Sequence, residues 1–568
     1  MAAAVVAGAL LLHPARTPPG AWAAGPRIVT FSVVEAAIPD MRNALQQGRV
    51  TSRELVTQYL TRIATYEDLL NAVITVNPHA LAEAEARDRD RAQGRIRGPL
   101  HGIPIALKDI IHTKDLRTTG GALAFVDLVP PYDATVTTNL RNAGAIIIAK
   151  TTLTELANWV AGPPTPMPPN YNALTGFGLN PYDPRRDPRP DPGDGRPALS
   201  TGGSSSGVGT AASFWAANVG TETSGSILTP ANQTMLAAIK PTVGRISRYG
   251  IIPITADQDT AGPMARTVTD AAILLGVLEG GTPDPHDAAT TRCARPPGKD
   301  YTRYLRADGL KGARIGIPRV YFYDKNTPPG EKEARGGLTD AQQGAMRDAI
   351  AALTGAGAVV VDPADIPSVT ASEPDDSFLR WNVCVSPKGQ DGGCSTVFKY
   401  GMKRDFNAWL ASLGDAAPVK SLTALRAWNT DHAKAGTLKY GQSLLDASDE
   451  MDLEADRARY EADRAKDLRL SAGQGIDEAL QAHQLDALLF PGSLGAALAA
   501  RPGYPTVMVP FAMVPNEPTP PFPDGFAARP SPFGVSFTGT ACSEPRLLEI
   551  AFAFEQATRK RMAPWSTP

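Results

Sequence analysis

Three residues of this chain could together make a nucleophile. They are Lys108, at the end of the apolar run Ile103–Leu107, and two serines in Gly/Ser-rich stretches, Ser204 in Ser200-Thr-Gly-Gly-Ser-Ser-Ser-Gly207 and Ser226 in Gly220-Thr-Glu-Thr-Ser-Gly-Ser226. A serine hydroxyl attacks a carbonyl only when a neighbour removes its proton, and a lysine can do so only when neutral. Burial favours the neutral amine, lowering the lysine pKa from about 10.4. Taken singly, each part has a blander reading: a Ser/Gly run is ordinarily a flexible linker, and a strand-end lysine ordinarily reaches solvent. The position of the Ser/Gly run argues against a linker, because Ala211-Ala-Ser-Phe-Trp-Ala-Ala217 follows it at once and reads as a buried helix.

Other chemistries compete for the same residues. Gly203-Ser-Ser-Ser-Gly207 satisfies the Gly-x-Ser-x-Gly elbow of α/β-hydrolases, which would make Ser205 the nucleophile. That elbow needs a strand leading into it, and Asp191-Pro-Gly-Asp-Gly-Arg-Pro197 cannot form one. A phosphate-cradling loop is disfavoured because neither Gly-x-x-x-x-Gly-Lys-Ser/Thr nor a strand followed by Gly-x-Gly-x-x-Gly occurs. Seven histidines (13, 79, 101, 112, 286, 432 and 483) leave a Ser-His-Asp arrangement open by inventory. His432 and His483 lie on helical stretches and read as ordinary surface or core residues.

The elements that must position these residues follow α/β grammar. Thr51-Ser-Arg-Glu54 is a capping box, and Leu55, Tyr59 and Ile63 place one apolar face on a helix over about 52–66. A capping Asp133, a helix with Val136, Leu140 and Ala143 on one face, a stop at Gly144 and the strand Ala145–Ala149 come next. The pattern recurs as strand 314–317, a helix near 340–354 and strand 358–361, then strands at 487–490, 506–509 and 534–537 before a terminal helix carrying Leu547, Ile550 and Phe554. Two Pro/Gly/Asp-rich segments, 162–197 and 280–297, lack either period and read as surface insertions. The first of them, with the 365–440 region, is expected to shape the pockets around any site, since irregular connections are where specificity usually resides.

The chain has 568 residues, 43% hydrophobic and 20% charged, with a formal charge of −2, so it offers no basic field for nucleic acid. Met1–Leu12 is an apolar run of secretory length with a small-x-small site at Ala21–Ala23, although no basic residue precedes it. It predicts a periplasmic or secreted protein cleaved to begin at Ala24, the alternative being cytoplasmic. No stretch of about 20 apolar residues predicts a membrane anchor. Four cysteines (293, 384, 394 and 542) show no metal-ligand spacing, and no metal or cofactor is expected. In an exported chain Cys384 and Cys394 could close a loop, with free thiols as the alternative.

Three segments in this order resemble the amidase-signature family: Gly-Ile-Pro-Ile-Ala-Leu-Lys108-Asp, Gly-Gly-Ser204-Ser-Ser-Gly and Gly-Thr-Glu-Thr-Ser-Gly-Ser226-Ile. Asn180-Pro-Tyr-Asp183, Lys240-Pro-Thr-Val-Gly-Arg245 and Asp259-Thr-Ala-Gly-Pro-Met-Ala-Arg266 support it; the likeness is strongest over about 98–278. The resemblance implies one large α/β domain over 24–568, with a central mixed β-sheet covered by helices on both faces. It implies an amidohydrolase acting on a small-molecule or peptide amide through a Ser–cis-Ser–Lys triad. Ser226 would be the nucleophile, Ser204 the relay behind a cis peptide bond and Lys108 the base. The backbone N–H groups of Thr223, Ser224, Gly225 and Ser226 would form an oxyanion hole, with Ser205 supporting the network. Glu222 stands where many members have Asp. Leu228 stands where the amidotransferase member that acts on glutamyl-tRNA has Arg, so an amidotransferase subunit is the second reading, and the motif detail is closer to bacterial peptide amidases.

Overall fold

The structure, a computed structural model, describes residues 31–568. The apolar leader and its cleavage site lie outside the described residues.

Eleven strands form one mixed sheet: β1 (Val73–Val76), β2 (Pro104–Lys108), β3 (Ile146–Thr151), β4 (Ala217–Glu222), β5 (Ala237–Lys240), β6 (Thr260–Ala265), β7 (Arg314–Gly316), β8 (Val359–Val361), β9 (Ala487–Pro491), β10 (Thr506–Val514) and β11 (Ser531–Thr538). Their spatial order is β1-β3-β2-β4-β6-β5-β10-β11-β9-β7-β8. β2 runs parallel to both β3 and β4, and β7 runs parallel to both β8 and β9; the remaining pairs are antiparallel. Every residue of β2, β3 and β4 is buried, as expected of strands covered on both faces. Helices flank the sheet, and one contiguous core runs from Val33 to Phe554.

Local chemistry sets the helices. Helix α1 (Ser52–Leu70) starts at the expected box, with Glu54 N donating to Thr51 Oγ1 at 3.1 Å and Thr51 N to Glu54 Oε2 at 2.7 Å. Helix α2 (Thr135–Asn142) ends before Gly144, whose φ of +86° suits glycine alone. Asp133 does not cap it; its carboxylate accepts the N–H of Lys114 instead. Past α2, a second expectation fails at Ala211–Ala217. The helix there, α3, covers only Val208–Ala211, because Ser213 turns left-handed at φ +54° and the Trp215 ring folds back over Gly209. The chain is thereby free to enter β4 at Ala217.

The two Pro-rich segments are only partly superficial. Within 162–197, Asn172 donates to Thr152 Oγ1 and Asn180 donates to the carbonyls of Ser200 and Gln233, so both are buried. Within 280–297, Asp284 and Asp287 are buried against Ser247 and Arg248. Period-based reading misses such segments because polar side chains, rather than an apolar stripe, tie them down. Both cysteine pairs are closed as disulfides: Cys384–Cys394, which the sequence left open between a bridge and free thiols, and Cys293–Cys542, whose partners are 249 residues apart.

Candidate active site

The parallel strands β2 and β4 end at the same edge of the sheet, and the chemistry collects in the crevice beyond them. Lys108 is the last residue of β2 and is fully buried. Its Nζ lies within hydrogen-bond distance of Ser204 Oγ at 2.7 Å, Thr221 Oγ1 at 2.8 Å and the Thr221 carbonyl at 3.3 Å. Burial pushes its pKa down to about 7, against the nearby carboxylates of Asp259 and Glu222, which favour the charged form.

The Ser204 loop is held from three sides. Gly202, at φ +91°, turns the chain so tightly against Pro230 that a Cβ there would lie 2.5 Å from the Pro230 nitrogen. A Cβ on Gly203 would meet Ser226 Cα at 3.0 Å, so glycine lets the two loops touch. Thr154 N donates to the Ser204 carbonyl at 3.2 Å and Ser205 N to the Ser226 carbonyl at 3.1 Å. All four cis bonds among the described residues precede proline, and the Gly203–Ser204 bond is not one of them. Ser204 meets Lys108 across a trans bond, the form favoured by about 2.5–4 kcal/mol for a non-proline residue.

Ser204 is buried and Ser226 half-buried, so Ser226 is the more open of the two hydroxyls. No hydrogen bond to Ser226 Oγ is found among the described residues. Ser205 is fully buried, its hydroxyl donating to the Thr221 carbonyl at 2.9 Å and accepting the Thr221 N–H at 3.1 Å. Both of its capacities are used in bracing β4, and no strand leads into it.

Beyond β4 the backbone amides of Thr223, Ser224, Gly225 and Ser226 donate to no group among the described residues. Those of Ile227 and Leu228 both donate to Glu222 Oε2, at 2.7 and 3.0 Å. Glu222 thus closes the amide cluster at the start of a short helix, α4 (Leu228–Gln233). A run of unpaired amides in a tight Gly-containing loop is an anion-binding concavity.

The sequence profile of the amidase family matches residues 54–548. This chain belongs to the amidase family. Among solved structures of the family it is similar to the peptide amidase from Stenotrophomonas maltophilia, with 36% identity, 94% of this chain and 99% of that one covered, and a TM-score of 0.78. It is 34% identical to the Arabidopsis thaliana protein named "Probable amidase" over 94% of this chain and 92% of the relative. Its likeness to a glutamyl-tRNA(Gln) amidotransferase subunit from Marinobacter nauticus, 38% over 306 residues, spans 54% of this chain and 58% of that protein. The expected amidohydrolase fold, a single large domain around a mixed sheet, is the one observed, and the protein is an amidohydrolase.

Next to the site of this amidase lies a cavity of about 380 Å³ reached by Thr221, Thr223 and Asp259. Ile110, Ile252 and Ile254 give it an apolar floor, and Tyr132, Tyr249, His286 and Trp409 give it aromatic walls. Tyr132 stacks on Tyr249 at 4.9 Å and Tyr249 on His286 at 4.2 Å. Its charges are neutralised in place: Arg248 Nε donates to Asp287 at 2.8 Å, and Arg404 holds Asp405. Asp259 is half-buried, and desolvation pushes its pKa up to about 7. His112 lies behind this wall, accepting Trp409 Nε1 at 2.9 Å, with burial pushing it down to about 3. Among the described residues no histidine is bonded to any of the three serines.

Sequence reasoning missed Thr221, Glu222, Gln258 and Asp259 as parts of the site. The signal for Glu222 was present, a carboxylate shortly before a helix start within an otherwise small-residue loop. Thr221 and Gln258 carry no pattern that marks them before the strands are paired. The 365–440 region supplies Asp405, Ala408, Trp409 and Ser412 to the cavity, as expected of a pocket-shaping segment, whereas 162–197 supplies none and 280–297 supplies His286 and Asp287.

Proposed function

We propose that this amidohydrolase cleaves the C–N bond of a carboxamide, on a small molecule or a peptide, through an acyl-enzyme on Ser226. The observation that carries the reading is a fully buried Lys108 whose Nζ lies 2.7 Å from Ser204 Oγ. A neutral amine has two hydrogens and one lone pair. With the hydrogens on the hydroxyl and carbonyl of Thr221, the lone pair faces the Ser204 hydroxyl. Ser226 Oγ adds to the carbonyl carbon, its proton passes to Ser204 Oγ, and the Ser204 proton passes to Lys108. The negative oxygen forms against the free amides of 223–226, and the proton returns through Ser204 to the departing amine nitrogen. Water repeats the sequence to release the acid.

Leu228 supports hydrolysis over an amidotransferase role. Its side chain is buried in an apolar cluster with Tyr182, Leu199 and Met235, where an arginine would be an unpaired buried charge. Among the relatives, the peptide amidase favours a peptide amide, and the cavity accepts a neutral apolar or aromatic group beside the scissile carbonyl. Two closed disulfides support export to an oxidising compartment, as the leader-like start suggests.

A fluorophosphonate should add to the peptide containing Ser226 and not to the Ser226→Ala protein, which should also lose hydrolysis of acetyl-phenylalaninamide. Labelling at Ser205 instead would overturn the reading.

A further inference from the structure

The segment that follows the cavity floor grips the amide cluster at a single residue. Gln258, 2% exposed, donates Nε2 to the Thr223 carbonyl at 3.2 Å. Asp259 accepts the Thr223 hydroxyl on Oδ1 at 2.5 Å, and its Oδ2 is fixed by the amides of Ile254 and Thr255 at 2.9 and 3.0 Å. The turn carrying both is closed on itself, Gln258 N and Asp259 N each donating to the Thr255 carbonyl.

In a trans peptide the C=O and the following N–H lie in one plane and point in opposite directions. A donor that holds the Thr223 carbonyl therefore aims the Ser224 N–H, which belongs to the same plane and has no partner among the described residues. Ser224 is exposed, so the residue stands at the open side of the loop. Without Gln258 the plane could rotate about the bonds flanking it, because Ser224 and Gly225 make no side-chain hydrogen bond among the described residues and Gly225 sits at φ +88°. At the other end, Glu222 fixes Ile227 and Leu228. Of the four free amides, that of Ser224 is the one whose direction depends on a side chain from another strand connection.

We infer that Gln258 is a positioning residue for the oxyanion site: it fixes the 223–224 peptide plane so that the Ser224 N–H meets the negative oxygen of the tetrahedral intermediate, with Asp259 holding the Thr223 side chain against rotation. The inference rests on the acyl-enzyme reading above. It assigns Gln258 no contact with substrate.

Acetyl-phenylalaninamide turnover, binding of acetyl-phenylalaninal (which forms a hemiacetal oxyanion on a serine) and fluorophosphonate labelling test it, using Gln258→Leu and Gln258→Glu. Losing one oxyanion donor costs about 10²–10³ in kcat, and a misaimed donor should cost about 10–10². The expected result is that fall in kcat with KM within about threefold, and a parallel loss of aldehyde affinity, at an unchanged melting temperature in at least one variant. Gln258→Asn, whose shorter amide can approach the carbonyl again, should recover part of both. Retained kcat and aldehyde affinity in a folded variant would overturn the inference, as would an effect on KM alone. Should neither Gln258→Leu nor Gln258→Glu fold, Gln258→Asn carries the test alone: a fall in kcat matched by a parallel loss of aldehyde affinity supports the inference, and native values of both, or a fall in kcat with aldehyde affinity unchanged, overturn it. Absence of Ser226 labelling in the unmodified protein would instead remove the acyl-enzyme reading, a separate failure.

Discussion

Lys108 Nζ lies 2.8 Å from Thr221 Oγ1, the hydroxyl of a residue on the neighbouring parallel strand, and the same nitrogen reaches the Thr221 carbonyl. β4 therefore holds the two hydrogens of the amine, and the orientation of its lone pair is a property of strand pairing rather than of a flexible side chain. Thr221→Val, which keeps the shape but removes the hydroxyl, should lower kcat by about 10-fold or more with little change in KM, since a general base contributes about 10²–10⁴ overall.

The pH dependence follows from the same burial. Lys108 must be neutral to accept a proton, and its pKa is lowered to about 7. kcat/KM should rise with pH through about 7 and stay high on the alkaline side, with no falling limb from a histidine. Stability carries the complementary signature. The folded value lies below the ordinary lysine value of 10.5, so the unfolded chain binds more protons between the two. The cost of keeping Lys108 neutral is absent above about 10.5, grows as pH falls and is fully present below about 7. Melting temperature measured from pH 7 to 10 should therefore rise more in the native protein than in Lys108→Met, and equal slopes would contradict the burial of a neutral lysine.

Glu222 anchors the other side of the reacting serine. Its Oε2 accepts two adjacent amides, so Glu222→Ala should cost about 1–3 kcal/mol through the lost charge-assisted bonds. It should also lower kcat, because the amides of 223–226 lose their fixed end. Glu222→Gln keeps an acceptor and should recover most of the stability. Urea titration alongside turnover checks both.

Much of this arrangement could be read in the chain, for physical reasons that differ by residue. Lys108 ends an apolar run, and Ser204 and Ser226 sit in runs of small residues whose spacing is unusual enough to point to one family. The strands and the long helices announce themselves by period, and at Thr51 by capping chemistry. Ala211–Ala217 failed because a short, mostly apolar stretch with a single polar residue, Ser213, has no period to distinguish helix from a turn entering a strand; the packing of Trp215 on Gly209 decided it. The cis bond implied for Ser204 came from resemblance alone, and nothing in the residue types requires it. Thr221, Gln258 and the pair Arg248 and Asp287 were illegible because their partners lie 35 to 113 residues away and are brought together only by the sheet.

A second buried lysine supports the end of β2. Lys150, on β3, forms a fully buried ion pair with Asp109 at 2.9 Å and donates to Thr118 Oγ1 at 2.7 Å, while Asp109 accepts the Thr119 N–H. Asp109 follows Lys108 directly, so the pair fixes where the strand carrying the base ends. Breaking it by Lys150→Met leaves an unpaired buried carboxylate and should cost about 3–5 kcal/mol, whereas Lys150→Met combined with Asp109→Leu should cost clearly less than the two single changes added together. Denaturant unfolding of the four proteins measures the coupling.

The cavity gives a prediction of specificity. Arg248 is the cation that neutralises Asp287 beside the aromatic walls, and pairing with that carboxylate outweighs burial and keeps it charged. In Arg248→Met the carboxylates of Asp287 and Asp405 would face the cavity with one balancing charge fewer. An acyl group bearing an amine should then be favoured over a neutral aromatic one. The ratio of kcat/KM for lysinamide to that for acetyl-phenylalaninamide should rise by about tenfold, near the ~1.4 kcal/mol expected of one added charge interaction at intermediate dielectric. High salt should shrink the gain, because a partly open cavity is screened. A ratio that did not move, in a variant still labelled at Ser226, would place the acyl group outside this cavity.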